Sequence, residues 1–284
     1  MLSIIISSYQ EKFYSALEIN IAETIGMPYE IIKIDNPNLI GICEAYNKGA
    51  SKAQYDYFLF IHEDIIFQNQ NWGELLINHL KREETGVIGL AGSNYVPRAP
   101  SSWSISDSRY KFCNVNSKEV IGFKPIPYDK VFALDGVFLA IKKSVYIKFL
   151  FDENIKGFHG YDTDFSLRVA SQYCNYVIWD IFIKHFSKGN PDKLWLESNM
   201  KIRKKIKIQF NENFDEQLET EMFQYFLNTY FSYYKLGLKN ILVTLRFFPK
   251  KVSFKNKLHI CETYLYYFKS HIHDYFKSQK LFFR

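Results

Sequence analysis

A chain of 284 residues with 47% hydrophobic and 23% charged residues can bury a sizeable core, which excludes global disorder. Its four cysteines, Cys43, Cys113, Cys174 and Cys261, lie far apart with no C-x-x-C pair, which argues against a zinc knuckle or a disulfide framework and suits a reducing cytosol. The net charge of +6 conceals two regions: Lys235 to Arg284 holds 11 basic residues against Glu262 and Asp274, a net of +9, leaving 25 basic and 28 acidic residues before it, a net of −3.

Leu2–Ser8 is a β-branched run without a basic leader, so it reads as a first strand rather than a signal peptide. Glu11–Thr24 carries Phe13, Leu17 and Ile21 at helical spacing. A strand over Glu30–Ile34, a helix over Ile42–Ala53, a strand over Tyr55–Ile61, a helix over Trp72–Glu83 and a strand over Val87–Leu90 follow. Alternation of this kind implies right-handed βαβ units and a mostly parallel sheet flanked by helices, an α/β fold. From Ser93 to Lys130 the periodicity fails amid Pro97, Pro100, Pro125 and Pro127; a segment this long reads as a functional loop, with Arg98, Trp103 and Arg109 as candidate contacts. Val131–Ile141 resumes as a strand interrupted at Asp135-Gly136, Tyr161–Tyr173 is a helix with an acidic first turn, and Tyr176–Ile183 is a strand ending near His185. Beyond Asp192 the pattern is helical, over Lys193–Ile208, Asp215–Tyr234 and further aromatic-basic segments. Two regions are therefore expected, residues 1–191 and a helical extension over 192–284. No stretch approaches the roughly 18–20 apolar residues of a membrane span.

Three clusters carry chemistry. Tyr57–Ile61 (YFLFI) is a buried strand that ends abruptly in His62-Glu63-Asp64, and strand ends are where open α/β sheets bind ligands. Carboxylates beside an imidazole suit a divalent cation carrying phosphates, with Asp64 as direct ligand and Glu63 and His62 in support; taken alone, the trio also reads as a polar strand terminus. Ile66 rules out H-E-x-x-H. In Gly157–Phe165 two glycines lead into a helix whose first turn holds Asp162 and Asp164; Arg168, four residues on, pairs with Asp164 and leaves Asp162 to face a cleft. His185, just past a strand and followed by Ser187-Lys188-Gly189, can ligate a metal or touch a phosphate, although a lone histidine is more often structural. Asp35, ending the second strand, can accept hydrogen bonds from a nucleoside.

Taken in order, SIIISSY, EIIKIDN, AYNKGASKA, YFLFIHEDI, LDGVFLAIKKSVY, GYDTDFSLR and IKHFSKG resemble glycosyltransferase family 2 over about Leu2 to Gly189. The resemblance implies the GT-A fold, a nucleoside-diphosphate sugar donor and Mn2+ or Mg2+. It implies Asp35, Asn47, Glu63 and Asp135 as donor-binding residues, Asp64, His62 and His185 at the metal, and Asp162 as catalytic base. Two positions depart from the family pattern: His62 occupies the first acidic place of the D-x-D element, and Tyr161 stands where the Glu-Asp element has its glutamate.

Such a site needs one base, because a metal-neutralised diphosphate is already a good leaving group; glycoside hydrolases, by contrast, use two carboxyl groups. The expectation is an inverting, metal-dependent transferase acting on a glycan or lipid-linked acceptor in surface polysaccharide biosynthesis. Aromatic-basic runs such as Arg246–Lys251 suit an anionic membrane surface, which gives a cytoplasmic protein held peripherally at the inner face of the plasma membrane. A helical subdomain with lysines in solvent is the plainer reading of that tail, and no nucleic-acid module is recognisable. The alternatives are a non-catalytic glycan- or membrane-binding protein with a degenerate site, and a sugar-nucleotide pyrophosphorylase. The second would want a glycine-rich loop after the first strand, and Ser7–Glu11 has no glycine.

Overall fold

A computed structural model describes residues 1–37, 39–116, 126–187, 189 and 191–282, with side chains as far as Lys269. Residues 117–125 of the irregular segment, Lys188 and the end of the basic tail lie outside the described residues. The chain forms two compact units, the first from Met1–Val96, Ser102–Asn190 and Ile206–Phe210, the second from Pro97–Ser101, Pro191–Lys205 and Asn211–Arg284.

The first unit begins with β1 (Leu2–Ser8), α1 (Glu11–Thr24), β2 (Tyr29–Asp35), α2 (Ile42–Lys52) and β3 (Tyr57–Ile61), and β1 lies between β2 and β3, parallel to both. There follow β4 (Ile65–Phe67), α3 (Trp72–Leu80), β5 (Thr85–Gly89), β6 (Ala91–Ser93), β7 (Lys111–Cys113), β8 (Tyr128–Val131), β9 (Ala133–Leu134) and β10 (Phe138–Lys142). The unit continues with α4 (Lys143–Phe149), α5 (Tyr161–Ala170), β11 (Cys174–Ile178) and β12 (Ile183–His185). Among the described residues the main sheet runs β2-β1-β3-β10-β5-β11-β8, a mostly parallel α/β sheet in which β10 and β8 are antiparallel.

Alternation along the strands sorts the core into two layers. Ile4 and Ile6 of β1 and Leu59 and Ile61 of β3 face Leu17 and Ile21 of α1 and Trp72 and Leu76 of α3. Ile5, Phe58 and Phe60 point the other way, onto Tyr46 of α2, Tyr146 of α4 and Phe165 of α5. Each such side chain removed from water contributes about 1.5–3 kcal/mol, which holds β1 and β3, and hence their carboxyl ends, rigidly.

Three local expectations are corrected. Val131–Ile141 is not one interrupted strand: β9 pairs with β6 in a small sheet with β7, and after Asp135-Gly136 the chain enters the main sheet as β10. A fully buried central strand has the same apolar pattern in either direction, so its antiparallel sense was not readable. Tyr176–Ile183 also divides, into β11 of the main sheet and β12, which pairs with β4. The irregular segment contains β7 and most of β8 and begins at the last residue of β6, each strand too short to show a period.

The second unit contains α6 (Lys193–Lys205), α7 (Glu216–Tyr233), α8 (Leu238–Leu245) and α9 (Phe254–Phe282). Asp215 caps α7 by accepting the Leu218 N–H at 3.0 Å. Leu218, Met222, Phe223, Phe226, Leu227 and Tyr230 recur at helical spacing and are buried, as are Phe247, Val252 and Ile260. Arg98 belongs here rather than to a cleft: its N–H donates to the Glu219 carboxylate at 3.0 Å and its Nε to Phe248 O at 2.8 Å.

Candidate active site

The carboxyl ends of β1 and β3 open onto a cavity of about 440 Å3. Ser7 and Gln10 after β1, Tyr46 of α2, His62 and Asp64 after β3, and Tyr161 at the start of α5 line it. Tyr9, Phe158 and Phe186 are exposed at its rim, and the Phe186 ring stacks on Phe13 at 6.1 Å. Gly160 precedes α5 with φ 82°, a left-handed turn suited to glycine, and so turns the chain into the helix beside the cavity.

His62, Asp64 and His185 come together across more than a hundred residues of sequence, with one ligand atom from each lying within 4.8 Å of the others. His185 Nε2 is 3.3 Å from Asp64 Oδ1, and His62 Nδ1 is 4.0 Å from the same oxygen. β12 delivers His185 by pairing with β4, whose Ile65 adjoins Asp64. Burial pushes the Asp64 carboxyl up, but the hydrogen bond and charge of His185, with help from Ser187 and His62, outweigh it and hold the group at about 2. Burial lowers the His62 imidazole below its ordinary value, so it stays neutral and able to ligate.

Glu63 also lines the cavity but is not one of the three grouped ligands. It is buried and accepts from Ser8 Oγ at 2.6 Å, Tyr9 N at 3.2 Å and Gln10 N at 3.1 Å, so it clamps the β1–α1 loop that lines the cavity. Asp35 lies at the same sheet edge, in register with Ser8, where its exposed carboxylate meets Lys33 Nζ at 3.1 Å. Asn47 is not brought to the cavity: its amide donates to Phe151 O and Glu153 and accepts from Tyr146 Oη and Phe151 N, stapling α2 to the loop after α4.

Asp162 stands at the head of α5, where Oδ2 accepts the Gly136 N–H at 3.1 Å and Oδ1 the Thr163 N–H at 2.7 Å. Burial, and then the charge of Asp135, lift it to about 7 against those backbone donors. Asp162 is absent from the described lining of the cavity, lying one residue beyond the wall at Tyr161. Asp135 accepts from Val137 N at 2.8 Å and from the Trp103 indole N–H, which fixes a partly exposed aromatic face beside the Asp135-Gly136 turn. Arg109 pairs instead with Asp107 at an exposed site. Sequence reasoning gave no role to Tyr161, whose hydroxyl meets His62 Nε2 at 2.9 Å, or to the rim aromatics. Their aromatic neighbours in the G-F-H-G-Y run were the available signal.

The mostly parallel α/β sheet, with its candidate site at the carboxyl ends of the strands, is the GT-A fold that the resemblance implied, and comparison with a solved structure agrees. The crystal structure of GalNAc-T7 with UDP, GalNAc and Mn2+ matches with a TM-score of 0.53 at 12% identity, covering 72% of this chain and 47% of that one. The chain thus spans about half the length of GalNAc-T7. The structure of S. aureus TarS 1-349 in complex with UDP-GlcNAc matches with a TM-score of 0.47 at 15% identity, covering 87% and 81% of the two chains. No curated protein sequence matches the chain. The model of the glycosyltransferase-like family matches residues 3–224, and the chain belongs to that family.

Proposed function

We propose that the chain transfers a sugar, with inversion, from a nucleoside-diphosphate donor to a hydroxyl of a glycan or lipid-linked acceptor, in surface polysaccharide biosynthesis. The observation that carries this reading is the His62, Asp64, His185 group on a cavity at the ends of β1 and β3. Its donor set, two imidazole nitrogens and a carboxylate, fits Mn2+ better than Mg2+, which prefers oxygen alone. The GalNAc-T7 structure holds UDP, GalNAc and Mn2+, which supports the donor class and the ion. When bound, the ion supplies countercharge to the diphosphate leaving group.

The protein's own groups do the rest. The Glu63 clamp fixes the loop that faces the donor, and Asp35 at the edge of β2 serves the nucleoside. Asp162 is the base: as the acceptor oxygen bonds to the anomeric carbon, the carbon–oxygen bond to the diphosphate breaks, its electron pair leaves with the diphosphate, and the acceptor proton passes to Asp162. A carboxyl lifted to about 7 is a stronger base than an ordinary aspartate and is still about half ionised at neutrality. His62 and Tyr161 contact each other, which favours an intact site over a degenerate one.

The proposed setting is an anionic membrane face. Leu238, Leu242 and Leu245 of α8 are exposed at one-turn spacing among exposed Lys235, Lys239 and Arg246. On α9, Phe254, Leu258 and Leu265 are exposed beside Lys255, Lys257 and Lys269. Basic residues near such a surface contribute roughly 1 kcal/mol each, a reversible attachment. Among the described residues no helix is long and apolar enough to cross a membrane.

The test is nucleoside diphosphate release from a panel of nucleotide sugars, with and without Mn2+. Release from one donor that Mn2+ stimulates and Asp64→Ala removes is the expected result; no binding or turnover of any donor ends the reading.

A further inference from the structure

The two positions that depart from the family pattern touch: His62 Nε2 lies 2.9 Å from Tyr161 Oη. We infer that Tyr161 is a positioning residue of the metal site, holding His62 in its Nε2–H tautomer so that the Nδ1 lone pair faces a divalent cation shared with Asp64 and His185. The inference rests on the proposed reading of that group as a metal site.

A neutral tyrosine has a single proton to donate. Gly136 O, 3.1 Å from Tyr161 Oη, can only accept, and in the inferred arrangement it takes that proton. The phenol oxygen then accepts from His62, which places the imidazole proton on Nε2 and leaves Nδ1 bare. Nδ1 is the nitrogen on the Asp64 side, 4.0 Å from Oδ1. Fixing a ligating histidine through its other ring nitrogen is the usual work of an outer-shell partner.

The surroundings make this contact specific. Tyr161 is only 5% exposed, so water does not compete freely for its hydroxyl. A Cβ on residue 136 would sit 2.0 Å from Tyr161 Oη, so the phenol occupies space that only glycine leaves. The same turn holds the His62 backbone, whose N–H donates to Val137 O at 3.2 Å. It also gives the Gly136 N–H to Asp162, so one residue serves the metal side through its carbonyl and the base side through its N–H. Two carboxylates at this separation would repel; an imidazole and a phenol are neutral and complementary. The two departures therefore work as a pair.

The experiment is a Mn2+ titration followed by electron paramagnetic resonance of the free ion. Tyr161→Phe keeps the ring that packs on Tyr46 and Phe151 and is expected to weaken Mn2+ binding by ~10–100-fold; unchanged affinity overturns the inference. In a His62→Asp background the ligand needs no tautomer, so the same Tyr161→Phe change should alter affinity by no more than about twofold. An equal loss in both backgrounds would assign Tyr161 a packing role and also overturn it. The imidazole 15N shifts of the wild-type protein report the tautomer without any variant or metal: a protonated Nε2 with bare Nδ1 is expected, and a protonated Nδ1 refutes the inference. A wild-type protein that shows the expected tautomer and binds no Mn2+ would sink the metal-site reading instead.

Discussion

In the first unit the carboxylates at the cavity and just beyond its wall are each held by directed partners: Glu63 by Ser8 Oγ and two backbone N–H groups of the β1–α1 loop, Asp162 by two backbone N–H groups, Asp64 by His185. In the second unit the described basic side chains Lys239, Lys255, Lys257 and Lys269 face solvent beside exposed leucine and phenylalanine. The difference follows from what each must meet. A site that binds one geometry gains from short, buried hydrogen bonds, which are strong where water is excluded. A surface meeting a fluid, charged layer gains from number and freedom, and salt screens it.

The sharpest way to break the comparison is at the metal group. Asp64→Ala should remove Mn2+ binding and lower donor turnover by more than any other change considered; a variant that retains both would show that the directed contacts of the cavity do not serve a cation. Next is Asp162→Asn, for which kcat should fall ~10²–10⁴-fold with little change in donor affinity. Retained turnover would move the base elsewhere.

The pH dependence of Asp162 sharpens the same point. Because the ionised form is the base, the wild-type rate should rise with pH and level off above about 7. Stability runs the other way. The folded-state pKa is raised above the ordinary ~3.9, so folding favours the protonated acid, and this contribution is lost as pH rises from about 4 through about 7. Asp162→Asn should therefore be more stable than wild type at pH 8, by up to ~4 kcal/mol, and close to it at pH 4. A melting-temperature difference that ignores pH would show the carboxyl is not buried as described.

Smaller effects are expected in the second unit. Leu238→Asp with Leu242→Asp should cut flotation with anionic vesicles by roughly 100-fold or more, at roughly 1.5 kcal/mol per leucine, and leave turnover of a water-soluble acceptor unchanged. Equal vesicle binding by the variant and the wild type would remove the membrane role. The smallest change is Glu63→Gln, which turns an amide toward the Tyr9 and Gln10 donors and should cost ~1–3 kcal/mol of stability, read as a lower melting temperature.

Local pattern alone placed the longer strands and the helices of the first hundred residues, though not the three-residue β4 and β6, because apolar period two or 3.6 and abrupt polar ends are properties of neighbours in sequence. The bounds of β1 and α1 match residue for residue, and His62-Glu63-Asp64 stands at a strand end as the YFLFI run required. The basic character of the last fifty residues is also a sequence property. Pairing decided the rest. The direction of β10, the union of β12 with β4 that carries His185 to Asp64, and the contact of His62 with Tyr161 all depend on residues far apart in the chain. Nothing in the local pattern separates Glu63, taken up in clamping a loop, from Asp64, set beside two imidazoles. Which of two adjacent carboxylates finds donors and which finds imidazoles is settled only when the sheet brings those partners within hydrogen-bond range.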